Sequence, residues 1–173
     1  SPNNGSDFIR TSCAATLYPE LCYTSLSSYA NAIQENPARL ARVAIHVSLF
    51  KARLMAMYLS NQSRQADYGA DPRAAAALHD CFSNLGDSVD EMRGSLKQMR
   101  LLGESSSSGS FRFLVSNVQT WMSAALTDED TCTDGFEDVA DGAMKEDVCD
   151  RVANVRKFTS NALALVNSYA DKG

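Results

Sequence analysis

Apolar residues recur in this chain at steps of three and four over four long stretches, and proline- or glycine-marked turns separate them. The first stretch carries Leu40, Val43, Val47, Phe50, Leu54 and Met57; the second carries Leu78, Cys81, Leu85, Val89, Met92, Leu96 and Met99. Leu114, Val118, Trp121, Ala125 and Leu126 make the third, and Val148, Val152, Val155, Phe158, Ala162, Leu165, Val166 and Tyr169 the fourth. A period near 3.6 gathers such residues on one face of a helix, whereas a half-buried strand needs strict alternation. No stretch shows that alternation. Four amphipathic helices with short connections describe an all-α fold, an antiparallel up-and-down four-helix bundle.

Helix-start signals agree with this reading. Asn36-Pro37 and Asp71-Pro72 each set a capping side chain before a proline at the first helical position, where the missing N–H has no intrahelical partner anyway. The first long helix is expected to run to about Ser63, roughly 40 Å at the α-helical rise. Asp67 to Ala70 reads as a turn, and Gly103-Glu-Ser-Ser-Ser-Ser-Gly109 as a flexible linker. The third helix is expected from near Ser110. Thr127 to Cys132 can continue it or kink it, and Phe136 and Val139 extend its apolar spacing towards an end at Asp141-Gly142. Upstream, Phe8 to Ser12 and the segment after Pro19, with Leu21, Leu26, Tyr29 and Ile33, predict two short helices. Their core is too small for a separate domain, so they read as an N-terminal α-helical hairpin extension. The expected organisation is a flexible terminus over 1–7 and one domain over 8–173, with the hairpin at 8–34 and the bundle at 36–173.

Charge excludes some partners. The chain has 16 Lys and Arg against 21 Asp and Glu, a formal charge of −5, the opposite of the basic excess a general nucleic-acid binder carries. No nucleic-acid partner is expected. No apolar run of about 18 uncharged residues is present, so no membrane partner is expected either. The acid is unevenly placed: ten of the 21 carboxylates lie between Asp128 and Asp150, opposed there only by Lys145. Such a cluster is a solvated face or a partner surface whose affinity depends on pH and salt.

The five cysteines are Cys13, Cys22, Cys81, Cys132 and Cys149. They allow two bridges and one leftover thiol in several arrangements. A bridge between Cys13 and Cys22 would clip the hairpin and remove about 3 kcal/mol of unfolded-state entropy by loop closure. There is no CxxC pair, and the histidines, His46 and His79, stand alone, so no metal is expected. His46, between Ile45 and Val47, reads as a bundle residue. Asn4-Gly5-Ser6 and Asn61-Gln62-Ser63 fit the N-glycosylation acceptor pattern. With the cysteines they point to a secreted protein, and without a signal peptide the chain reads as a mature form.

Catalytic patterns are missing. The serines from Gly103 to Gly109 do not form Gly-x-Ser-x-Gly on a strand-to-helix turn. Asp128 and Asp130 begin an EF-hand-like spacing that Cys132 and Thr133 break. Neither histidine follows a glutamate by three residues, as a di-iron bundle requires. No glycine loop suited to a phosphate is present. Met55, Met57, Met92, Met99, Met122 and Met144 read mainly as core packing. The chain is therefore expected to be no enzyme, to need no cofactor and to bind no small-molecule substrate. It is expected to present a surface.

The cysteine neighbourhoods are specific. Cys13-Ala-Ala-Thr-Leu-Tyr-Pro-Glu-Leu-Cys22 resembles the N-terminal hairpin of the plant invertase and pectin methylesterase inhibitors. Leu78-His-Asp-Cys81, the stretch from Val118 to Cys132, and Asp134-Gly-Phe-Glu137 resemble the same family in the same order. The resemblance runs from Phe8 to Tyr169. It implies bridges Cys13–Cys22 and Cys81–Cys132, with Cys149 a free, largely buried, inert thiol. The second bridge would close a loop of about 50 residues, worth about 4 kcal/mol.

The family divides by target: pectin methylesterase, acid invertase of cell wall or vacuole, or a role as the pro-region of an esterase. The stretch from Val118 to Thr127 and that from Asn84 to Glu91 look like the esterase branch. The Pro-Lys-Phe tripeptide of invertase inhibitors is replaced by Arg156-Lys157-Phe158, deep in the last helix. The resemblance thus implies a secreted inhibitor of the apoplast or cell wall. It would cover the cleft of a pectin methylesterase in a 1:1 complex, using the second and third bundle helices. Ser83, Asp87, Asp90 and Glu91, then Thr131 and Asp134, are the contact residues it implies. Steps of 4, 3 and 1 put the first four on one helix face, away from Leu85 and Val89. Carboxylates brought against an acidic cleft bind better when protonated, so tighter inhibition is expected at about pH 5–6 than above about pH 7.

Overall fold

The structure is a computed structural model and describes residues 4–66, 69, 71–104 and 107–172. In chain order it forms α1 (Asn4–Cys13), α2 (Pro19–Leu26), a single 3₁₀ turn (Ser27–Tyr29), α3 (Ala30–Ile33), α4 (Pro37–Ala66), α5 (Pro72–Glu104), α6 (Ser108–Asp134) and α7 (Ala143–Lys172). The long helices pack in the cyclic order α4–α5–α6–α7, so α4 lies diagonally across the bundle from α6. Their apolar faces share one core with the hairpin residues Ile9, Cys13, Cys22, Leu26 and Ile33.

The anticipated caps are present. Asn36 Oδ1 accepts the Arg39 N–H at 3.1 Å, and Asp71 Oδ1 accepts the Arg73 N–H at 3.0 Å. Each satisfies a backbone donor that the first helical turn leaves without a partner. Between α3 and α4 the chain reverses through Gln34 and Glu35, both at positive φ, which stops α3 after one turn. The hairpin is bridged by Cys13–Cys22 and held to α7 by Asn161. That side chain is buried, accepts the Tyr18 N–H at 3.2 Å and donates to the Tyr18 carbonyl at 3.0 Å.

Several boundaries differ from expectation. The first helix begins at Asn4, inside the segment read as a flexible terminus, while residues 1–3 lie outside the described residues. Of the expected turn at 67–70, only Gly69 is described; its N–H donates to the Ala66 carbonyl at 2.9 Å. Helix α5 runs on to Glu104 and α6 begins at Ser108, so helix replaces most of the expected serine linker; residues 105 and 106 lie outside the described residues. The reason is a cap: Ser107 Oγ accepts the Ser110 N–H at 3.0 Å. Helix α6 passes unbroken through Thr127 to Cys132. It stops at Asp134, so Phe136 and Val139 are buried in the following turns rather than on a helical stripe.

The largest correction concerns α4. Of the apolar run read as its core face, only Leu40 is buried. Val43 and Val47 are half-buried, and Phe50, Leu54 and Met57 are exposed. The bundle instead buries Ala41, Ala44, Ile45, Ser48, Leu49, Ala52, Met55 and Leu59. That side alternates bulky Ile45, Leu49, Met55 and Leu59 with small Ala and Ser, so large side chains of α5 and α7 can pack into the gaps between them. His46 follows the same rotation and is exposed.

Candidate functional site

The site is built on the antiparallel seam between α5 and α6. Along it lie the Cys81–Cys132 bridge, the Ser88–Glu129 hydrogen bond, the close approach of Gly94 to Trp121, and the Gln98–Asn117 hydrogen bond at 3.0 Å. These contacts fix the register in which residues 83–91 stand opposite residues 124–132, with Asp134 just beyond. A Cβ at Gly94 would lie 2.5 Å from the Trp121 ring, so a larger residue there forces the indole to shift.

On this seam Ser83, Asp87 and Asp90 are exposed on α5, and Glu91 is half-buried. Thr131 and Asp134 are exposed on the last turn of α6. Thr131 Oγ1 donates to the Thr127 carbonyl at 2.9 Å, which keeps its methyl and hydroxyl close to the helix. Asp90 stands 3.7 Å from Arg93, a solvated pair of small energetic weight. The structure gives no contact that ties Ser83 or Asp134 to the other candidates.

Three further residues lie on this seam: Ser88, and Asp128 and Glu129, which the sequence marks as members of the acidic cluster. Glu91 faces Asp128 across the seam, near enough for a protonated carboxyl to form a hydrogen bond with the other. Burial, that bond, and the charges of Asp128, Asp87 and Glu129 push the Glu91 carboxyl up to about 8. One of its oxygens is buried with no partner. Glu129 is fully buried beneath the seam. Its Oε2 accepts the Ser88 hydroxyl at 2.6 Å and the Thr159 hydroxyl of α7 at 3.0 Å, while Oε1 has no partner. Burial pushes its carboxyl up to about 7; the two hydroxyls oppose the shift, Asp130 adds to it and Arg156 opposes it. Desolvation outweighs two hydrogen bonds because no cation sits in direct contact. Asp130, one residue on, points to α7 and takes the Arg156 guanidinium.

Glu129 did leave a signal in the sequence. It continues Val118, Met122 and Ala125 at helical spacing towards Cys132, which places a carboxylate on a core stripe. Asp128 left only its place in the acidic cluster and Ser88 left none, because only the register of two helices brings them to Glu91 and Glu129.

The other sulfur and imidazole groups are quiet. Cys149 is half-buried rather than largely buried, and burial raises its thiol, which keeps it protonated and unreactive. His79 meets Ser63 Oγ at 2.7 Å between α4 and α5, but that serine is buried. Among the described residues, no group of three or more His, Cys, Asp or Glu side chains is arranged to hold a metal ion. The α5–α6 seam therefore offers a pH-sensitive acidic surface on a rigid support.

A family model described as plant invertase/pectin methylesterase inhibitor matches residues 7–165. The chain is 44% identical over 168 residues to a carrot (Daucus carota) protein named 21 kDa protein, covering 96% of this chain and 86% of that one. It is 40% identical over 167 residues to pectinesterase inhibitor 11 of Arabidopsis thaliana, covering 96% and 82%. A crystal structure of a mutant pectin methylesterase inhibitor from Arabidopsis superposes with a TM-score of 0.69 at 21% identity, over 92% of this chain and 95% of that one. By the extent of that match and the identity of those relatives, the chain belongs to the plant invertase/pectin methylesterase inhibitor family.

Proposed function

We propose that this chain inhibits pectin methylesterase by covering its active-site cleft with the α5–α6 face in a 1:1 complex. The observation that carries the reading is the kinship to proteins named pectinesterase inhibitors over nearly the whole chain. The exposed acids and hydroxyls along the seam supply a surface suited to the task. Ser83, Asp87, Asp90 and Glu91 contact the enzyme from α5, and Thr131 and Asp134 from α6. Inhibition is steric: the bundle occupies the cleft and polymer cannot enter. The protein acts outside the cell, in the apoplast; Asn61, exposed on α4, is open to glycosylation, and the Asn4 side chain lies outside the described residues.

The seam favours binding in acid. Asp87, Glu91 and Asp128 stand together, and Glu91 holds a proton to about pH 8. As pH rises, Glu91 ionises beside two carboxylates, and docking against an acidic cleft then confines like charges in a poorly solvated space. The test is inhibition of a pectin methylesterase at about pH 5.5 and about pH 9, on either side of the Glu91 carboxyl, with an acid invertase assayed beside it at about pH 5.5. Stoichiometric loss of esterase activity alone, weaker at the higher pH, is the expected result. Loss of invertase activity alone would assign the chain to the other branch.

A further inference from the structure

We infer that the outward face of α4 is a second docking surface, shaped to receive an acidic amphipathic α-helix of a partner protein. Val43, Val47, Phe50, Leu54 and Met57 lie about 180° around α4 from its core stripe at 100° per residue. Phe50 is 58% exposed, Leu54 47% and Met57 64%. A helix apolar on both sides is ordinarily covered on both sides. Here Val43 and Val47 are half-buried beside the hairpin, while Phe50, Leu54 and Met57 stay exposed.

The spacing and the relief indicate a helix as the occupant. Steps of 4, 3, 4 and 3 make a heptad seam about 21 Å long, the pattern that interlocks with the side chains of another helix. The seam is not flat. Beside it runs a groove of about 540 Å³ with Tyr29 of the hairpin, Phe50 and Phe158 in its walls. It continues at Lys51 into a second groove of about 360 Å³ lined by Leu54 and Tyr58, whose far wall on α7 carries one acid and one base, Asp150 and Arg151. A concave, ridged surface fits a cylinder better than it fits a lipid plane.

Charge sets the sign of the partner. Helix α4 contains Arg39, Arg42, Lys51, Arg53 and Arg64 and no Asp or Glu. Among the described residues none of the five is in an ion pair. Arg42 and Arg53 stand on one flank of the stripe, with Arg100 of α5 close enough to act on His46 there. Lys51 stands on the other, over the Phe158 ring at 5.2 Å. A two-fold pairing of α4 with a second copy would set each basic flank against itself, which like-charge repulsion disfavours. Glutamates on a partner helix would meet both flanks. Because α4 is diagonal to α6, an occupant there leaves the α6 side of the proposed inhibitory seam open. The inference does not rest on the esterase reading.

The probe is a synthetic helix of about three heptads with Leu at the a and d positions and Glu on the flanks. It is titrated against the full chain by fluorescence anisotropy. Binding in the micromolar range is expected, weakening about tenfold between about 0.05 and 0.3 M salt. The same helix with Lys for Glu should bind at least about tenfold more weakly. Phe50→Asp together with Leu54→Asp should abolish binding without lowering Tm, since both positions are exposed. Lys51→Glu with Arg53→Glu should reverse the preference between the two peptides. Equal binding of both peptides, or acidic-peptide binding that survives the double aspartate variant, overturns the inference. So does a dimer that this variant dissolves, which assigns the face to a second copy. Adsorption to phosphatidylglycerol vesicles without peptide binding assigns it to lipid and overturns the inference as well.

Discussion

Helices α4 and α5 have 30 and 33 residues and nearly the same apolar spacing, yet they use it in opposite ways. In α5 the spaced residues from Leu78 to Met99 are all buried. In α4 the run from Val43 to Met57 faces partly or fully outward, and the core receives instead Ile45, Leu49, Met55 and Leu59 interspersed with Ala and Ser. Periodicity identifies a helix and counts its apolar stripes. Where there are two stripes, the direction is decided by how closely the neighbours must approach.

The sharpest way to break this contrast is to shorten one leucine on each helix. Leu85→Ala removes a fully buried side chain from α5 and should cost about 2–5 kcal/mol in urea unfolding. Leu54→Ala removes a side chain that is 47% exposed and should change stability by less than about 0.5 kcal/mol. A comparable loss at Leu54 would mean that the outer stripe is packed within the monomer.

The same contrast locates what was legible in advance. The caps at Asn36 and Asp71 and the stripes of α5 and α7 were readable because each depends on residues near in sequence. The direction of α4 was not, since Ala41, Ala44 and Ser48 look like filler until a neighbour packs on them. The α5 half of the site followed from helical spacing joined to the family resemblance. Its chemical centre did not: Glu91 meets Asp128, and Ser88 meets Glu129, only because the helices run antiparallel in one register. Asn161 is a similar case, its meaning supplied by Tyr18 at the other end of the chain.

A second difference between the helices is electrostatic. On α4 the charged residues are basic and solvated, whereas α5 and α6 confine acids between them. The Glu129 carboxyl is raised from its ordinary 4.5 to about 7, so its proton stabilises the fold. That stability is complete below about pH 4.5 and is lost as pH rises through about 7, a loss of about 3 kcal/mol from this buried group. Glu91, raised to about 8, acts in the same direction over a slightly higher range. Tm should therefore fall from about pH 5 to about pH 8, and Glu129→Gln should flatten much of that fall. Wild-type and variant curves of equal slope would show that Glu129 is already ionised in the folded protein.

Two glycines carry the comparison into α5 itself. Gly86 has nothing within 4 Å of where a Cβ would sit, so Gly86→Ala should stabilise by about 0.5–1 kcal/mol through backbone entropy alone. Gly94 lies under Trp121, with ring carbons 2.5 and 2.6 Å from that position. The propensity gain of Gly94→Ala is the same, but the indole must move off the seam, at a typical overpacking cost of about 1–3 kcal/mol. The net change should therefore be a small loss, and the two alanine variants should differ in sign. If Gly94→Ala is also stabilising, the indole yields without cost and the α5–α6 seam is looser than its contacts imply. If it is destabilising and Trp121→Phe in the same chain recovers part of the loss, the ring is what holds α5 and α6 at their distance, and with it the register that brings Glu91 to Asp128.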